Sequence, residues 1–236
     1  MTAESGYNSA TPKQDKFVLW LYRSYIHIIN LLVLIYVGLP FLAPVAMKTG
    51  HPLIARGIYT IYSPLCHQFP FRSLFLFGEQ PYYPRAEAGL PYQITYEDVT
   101  HGEPVNILQA RNFIGSEEYG YKVAICERDI ALYGSILLFG VIFALSGRKL
   151  PKIKWYHWLF FGVMPIAFDG FSQIPGLLFP GIPADLIRES TPAFRYFTGA
   201  LFGFFTAWFL YPYIEESMRD NVSYMVPADN ANKWPA

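Results

Sequence analysis

Cys66-His67-Gln68 and Cys126-Glu127-Arg128-Asp129 hold the only two cysteines of this 236-residue chain. Both stand beside side chains that bind metals or move protons. Thiolate sulfur, imidazole nitrogen and carboxylate oxygen are the ligands zinc takes, usually four in all. Cys66, His67, Cys126 and Asp169 therefore form a candidate set for a metal ion such as zinc, although the spacing is not that of a zinc finger. Two other readings of the thiols stay open. A Cys66–Cys126 disulfide would persist in an oxidising compartment and tie down the segment between them. A redox-active dithiol would need a cation such as Arg128 to depress a thiol pKa.

Two further polar groups occur later. Asp169-Gly170-Phe171-Ser172-Gln173 places Asp169 and Gln173 four apart, on one face of a helix. Arg188-Glu189-Ser190-Thr191 is followed closely by Arg195. An ionisable residue at the end of an apolar run is a functional candidate; the plain structural role of Asp169 is an ion pair with Arg128 or Arg195. Guanidinium groups bind phosphate bidentately, so Arg72, Arg128, Arg188 and Arg195 could hold an anionic headgroup or simply snorkel to the interface. With Gln68, Asp129, Gln173 and Glu189 they form one polar cluster.

The elements that must position these groups are mostly apolar. Hydrophobic residues make up 53% of the chain and charged residues 15%, below the roughly 25% usual for soluble domains. Lys plus Arg and Asp plus Glu balance at 18 each, which argues against a nucleic-acid partner. About 20 apolar residues in a helix cross a bilayer. Four runs qualify or come close, near 25–46, 129–146, 155–171 and 194–214. Trp155, Tyr156 and Trp158 at one end of the third run, and Trp208, Tyr211 and Tyr213 in the fourth, suit the headgroup region. The expected fold is an all-α polytopic membrane protein of about four spanning helices, with the bilayer as its first partner. Gly199 and Gly203, and Gly140 and Ala144, have the spacing that lets helices approach closely.

The loop 147–154 carries Arg148, Lys149, Lys152 and Lys154 and no acid. Short basic loops stay cytoplasmic, so both termini are expected there, in a cell membrane. Residues 1–24 read as a mobile cytoplasmic tail and interfacial lead-in without a cleavable signal peptide, and 218–236 as a second tail. Between them lies a membrane domain, 25–217. All four polar groups then share the opposite, outer face.

Within residues 51–78, the run 53–65 is apolar but too short to span, and Pro64 and Pro70 break the pattern between it and the apolar run 69–77, so the segment reads as a re-entrant or interfacial helical pair. Residues 79–125 form a polar outer insert. Within it Tyr92–Val99 and Tyr121–Ile125 have strand composition, so a small extracytoplasmic β/loop element is expected.

These residues resemble a family of prokaryotic integral membrane proteins, domain of unknown function 2085. Its pattern is matched by Cys66, His67, Gln68, Pro70, Arg72 and Ser73; by Cys126 and Arg128; by Asp169, Gly170 and Gln173; by Arg188, Glu189 and Ser190; and by Arg195, Thr198 and Gly199. The order and spacing hold from about 60 to 205 apart from the insert. Where the family often has a further Cys, this chain has Asp129, and the insert is longer than the usual linker. The resemblance implies a multi-pass membrane fold and no particular activity.

Three function classes follow. The first is an accessory or structural subunit of a membrane assembly, with a membrane-protein partner or a second copy of itself. The second is a membrane enzyme or redox protein using an outer-face Cys/His/Asp metal or dithiol site. The third is a small transporter, for which polar residues at the bilayer midplane and internal repeats are missing from the sequence.

Overall fold

The computed structural model describes residues 12–102, 106–174 and 188–225. The outer parts of both expected tails, 1–11 and 226–236, lie outside the described residues, as does 175–187.

Helix α1, Pro12–Gly38, runs through a 3-10 turn, Leu39–Phe41, into α2, Leu42–Lys48. Pro40 enters that turn near its first position, where its missing N–H goes unneeded. The start of the chain is thus helical from Pro12, continuous with the apolar run that follows. Helix α6 is Glu127–Leu145 and α9 is Pro192–Met225; the latter carries the expected tail from 218 on as helix. Three stretches are long and apolar enough to cross a membrane: Phe17–Lys48, Glu127–Leu145 and Pro192–Asn221.

The run 155–171 is a helical rod in three parts. Helix α7, Trp155–His157, leads through a π-helical turn, Trp158–Val163, into α8, Met164–Phe171. Pro165 has no N–H to donate, so the ladder widens just before it. At 1.5 Å per residue the rod is about 25 Å long. Phe160, Phe161, Met164, Phe168 and Phe171 stand exposed on it, while Trp158 Nε1 donates to Thr206 Oγ1 of α9 at 3.0 Å.

Helices α6 and α9 share the most extensive packing of the bundle, backbone against backbone. A Cβ on Gly203 would lie 2.1 Å from the Leu132 carbonyl oxygen, and one on Gly199 2.5 Å from that of Arg128. Only glycine permits this approach. An aromatic core of Phe139, Phe143 and Tyr211 closes on Tyr25 and Ile26 of α1.

The segment 51–78 is not a helical pair. Helix α3, Pro52–Tyr62, is one arm. The other is a 3-10 turn, Pro70–Arg72, followed by strand β1, Ser73–Leu76. Alternating burial along Ser73–Leu76 and pairing partners in the insert favour the strand over a helix too short to nucleate.

The insert contributes α4, Tyr96–Val99, α5, Ile107–Asn112, β2, Gly115–Ser116, and β3, Gly120–Cys126. The sheet order is β1-β3-β2, antiparallel throughout. Tyr121–Ile125 lies in β3, as composition suggests. Tyr92–Val99 is not a strand. Thr95 Oγ1 accepts from the Asp98 N–H while the Asp98 carboxylate accepts from the Thr95 N–H, and that capping box turns the stretch into the short helix α4.

Candidate functional site at the thiol end

Cys126 is the last residue of β3 and the residue before α6, so a rigid strand–helix junction fixes it. The β1–β3 register sets Ser73 opposite Cys126. That pairing brings the loop between α3 and β1, which carries Cys66, to the same place. The Cys126 N–H donates to Cys66 Sγ at 3.3 Å.

Gln68 locks this loop. Its backbone sits in the left-handed region, φ 54°, an uncommon conformation for a residue with a Cβ. Its buried side chain donates to the Tyr59 and Ala124 carbonyls, both at 2.9 Å, and its own carbonyl accepts from Lys122 Nζ at 2.7 Å. Three bonds offset the backbone strain and join α3, β3 and the thiol loop.

The thiols are free in this structure. Cys66 Sγ, Cys126 Sγ and an Asp129 carboxylate oxygen all lie within 4.8 Å of one another. They line a cavity of about 480 Å³ shared with His67, Arg72, Arg128 and Arg195. The hydrogen bond with Cys66, and then burial, pushes the Cys126 thiol well above its ordinary pKa. Of the four residues grouped as ligands from sequence, the structure brings Cys66 and Cys126 together. Asp129, from the polar cluster, supplies the nearby carboxylate. The exposed His67 ring stacks on Phe69 with centroids 5.5 Å apart and stands outside this trio.

Asp169 is elsewhere engaged. It is 0% exposed, with Arg128 Nη2 on one carboxylate oxygen and Arg188 Nη1 on the other, the latter at 3.3 Å. Gln173 Nε2 donates to the Asp169 carbonyl at 2.6 Å. A second knot lies beside it. Arg72 grips Glu189 with two bonds of 3.0 Å. Arg195, only 2% exposed, reaches Glu189, Glu127 at 3.3 Å and the Phe71 carbonyl at 2.9 Å. Residues far apart in sequence thus meet in a network of two neighbouring ionic knots, each centred on a buried acid, across the ends of α6, α8 and α9. Nε of Arg128 and Nε of Arg195 have no hydrogen-bond partner among the described residues, and both residues line the thiol cavity.

Sequence reasoning missed several charged residues. Lys122 of β3 is buried, donating to the Gln68 and Arg111 carbonyls at 2.7 and 2.8 Å; burial pushes its ammonium down to about 7. At the other end of the bundle, buried Glu215 accepts from Tyr25 Oη at 2.7 Å and from Arg219 Nε at 2.8 Å. Arg148 Nη1 lies 3.8 Å from the same carboxylate. Arg148 reads from sequence only as one of the basic residues of the loop 147–154. It is buried, and it ties α1 to that loop by donating to the Arg23 carbonyl.

Comparison with known proteins agrees with the membrane assignment. Residues 109–209 match the family described as "Predicted membrane protein (DUF2085)". The matched stretch holds Cys126, Arg128, Asp129, Asp169, Arg188, Glu189 and Arg195. The chain is also similar to the uncharacterized protein MJ1492 of Methanocaldococcus jannaschii, 26% identical over 199 residues, 80% of this chain and 92% of that protein. No solved structure matches. The resemblance to the family stands, and the chain is a membrane protein.

Proposed function

We propose that this protein is a multi-pass membrane protein carrying a metal site on its outer face, with Cys66, Cys126 and Asp129 as ligands and zinc as the fitting ion. The observation that carries the reading is the convergence of two sulfurs and a carboxylate oxygen within 4.8 Å at the wall of a cavity. Three protein ligands leave a fourth position open, as in catalytic rather than structural zinc sites. An ion there would supply Lewis acidity or a bound hydroxide. The chain's own part is to fix the sulfurs through the β3–α6 junction and the Gln68 lock. Asp129 here replaces Asp169, whose two oxygens are taken by arginines. The unmatched Nε donors of Arg128 and Arg195 suit a polar or anionic group entering the cavity.

The reading extends to topology. The rod Trp155–Phe171 is taken as a fourth span, supported by its length and its exposed apolar face. The basic loop 147–154 and both termini are then cytoplasmic, and the thiol end lies outside. Helix α3 is taken as interfacial: Ala55, Ile58, Tyr59 and Tyr62 are buried, while Leu53, Ile54 and Ile61 face outward.

Elemental analysis and thiol titration of the purified protein test the site. The expected result is about one metal ion per chain, lost in Cys66→Ser and Cys126→Ser. Two freely titrating thiols with no metal, or a 66–126 disulfide, would end the metal reading. Impermeant thiol labelling of intact cells tests the orientation; labelling of the two cysteines from opposite sides of the bilayer would overturn it.

A further inference from the structure

A second, larger cavity of about 760 Å³ lies against α3, α5 and β3, with Gln68 in the lining of both. Arg56, Arg111 and Lys122 line it with Tyr59 and Ser63, and no Asp or Glu does among the described residues. None of the three cations makes an ion pair with a carboxylate among the described residues. The neighbouring network, by contrast, answers each arginine with an acid.

We propose that this cavity binds a phosphate-class oxyanion between Arg56, Arg111 and Lys122. Gathering positive charge in a partly buried pocket is unfavourable without a counter-ion. The donors are also ready. Lys122 Nζ spends two of its three N–H groups on the Gln68 and Arg111 carbonyls. One remains for a ligand. Among the described residues Arg111 is anchored through Nη2, to the Ser63 carbonyl and to Ser63 Oγ at 2.5 Å, and the rest of its donor fork meets no acceptor there. Arg56 is exposed at the mouth and is free to close on an entering anion. Guanidinium forks match phosphate geometry.

The phosphate could be free or part of a lipid headgroup. The exposed Leu53 stands one turn before Arg56 on α3, which puts an apolar side chain beside the mouth where an acyl chain would lie. This proposal goes beyond the metal reading and does not depend on it.

The test uses the full chain in detergent with a chelator present, so that failure of the metal site does not enter. Thermal unfolding is followed while inorganic phosphate is titrated against chloride at equal ionic strength. The same protein is then compared in nanodiscs of phosphatidylcholine with and without phosphatidylglycerol. Stabilisation by phosphate, weakened about tenfold in apparent affinity by Arg56→Gln, supports a free anion. Stabilisation by phosphatidylglycerol alone, lost in Arg56→Gln, supports a headgroup. Lys122→Met should abolish either response; Arg111→Lys, which keeps the charge, covers the case in which that buried substitution prevents folding, and should weaken the response. No response to phosphate or phosphatidylglycerol, or one that Arg56→Gln leaves unchanged, overturns the proposal.

Discussion

Two adjoining regions at the thiol end treat positive charge in opposite ways. In the network, Arg72, Arg128, Arg188 and Arg195 each meet a carboxylate. In the cavity against α3, Arg111 and Lys122 meet carbonyls, a hydroxyl and an aromatic ring, and Arg56 stands exposed. The network connects the ends of three helices to the loop before β1, so its charges are bound up with folding. Arg111 and Lys122 do tie α5 to the end of α3 and to β3, but through carbonyls and a hydroxyl and without a carboxylate. One region uses charge to close the fold; the other keeps it unspent.

The largest effect should come from breaking the network at its most buried acid. Asp169→Asn keeps the shape and removes the charge, leaving Arg128 and Arg188 without their shared partner. Removing one member of a buried ion pair costs about 3–5 kcal/mol; because the Arg188 side chain is 40% exposed and can turn to water, about 3 kcal/mol is expected. The measure is the thermal unfolding midpoint in mild detergent. A midpoint equal to the parent's would mean that the network does not support the fold, and the contrast with the cavity would fail.

How much of this was legible follows from which residues sit in motifs. Cys66, Cys126, Arg128, Asp169, Arg188, Glu189 and Arg195 stood out because ionisable groups at the ends of apolar runs are costly, and their assembly on one end followed from the alternation of helices. The choice between Asp129 and Asp169 did not follow. It depends on which carboxylate a second arginine claims, and the approach of Arg188 is a tertiary event. Arg56, Arg111 and Lys122 were passed over since each is a lone cation in a different short element. Lys122 lies in the very stretch read as strand, yet strand composition says nothing of what faces a lysine. Glu215 hid in the polar end of a long helix. Tyr92–Val99 was misread because aromatic and β-branched composition was weighed above the Thr95–Asp98 cap.

A packing change should sharpen the comparison at intermediate cost. Gly199 lies against the backbone of Arg128, the residue that holds Asp169; an added Cβ would fall 2.5 Å from the Arg128 carbonyl oxygen and 3.2 Å from its Cγ. Since backbone must move, Gly199→Ala should cost about 1–3 kcal/mol. Its effect should not add to that of Asp169→Asn, because both displace Arg128, and coupled neighbours deviate from additivity by about 0.5 kcal/mol or more. Strict additivity in the double variant would mean that α6–α9 packing and the ion pair act independently.

The smallest effect is expected where the cavity's outermost cation is removed. Arg56 is exposed, has no carboxylate partner among the described residues and projects from α3 beside side chains that already face outward. Surface substitutions away from caps, cores and networks stay within about 0.5 kcal/mol, so Arg56→Gln should unfold with the parent in phosphate-free buffer. The comparison becomes sharp because this same substitution is the one expected to weaken phosphate binding about tenfold. A residue that leaves stability untouched and controls an anion response is placed for binding. Were Arg56→Gln instead to lower the midpoint as far as Asp169→Asn, the charge in the cavity would be structural, and the two regions would be parts of one network.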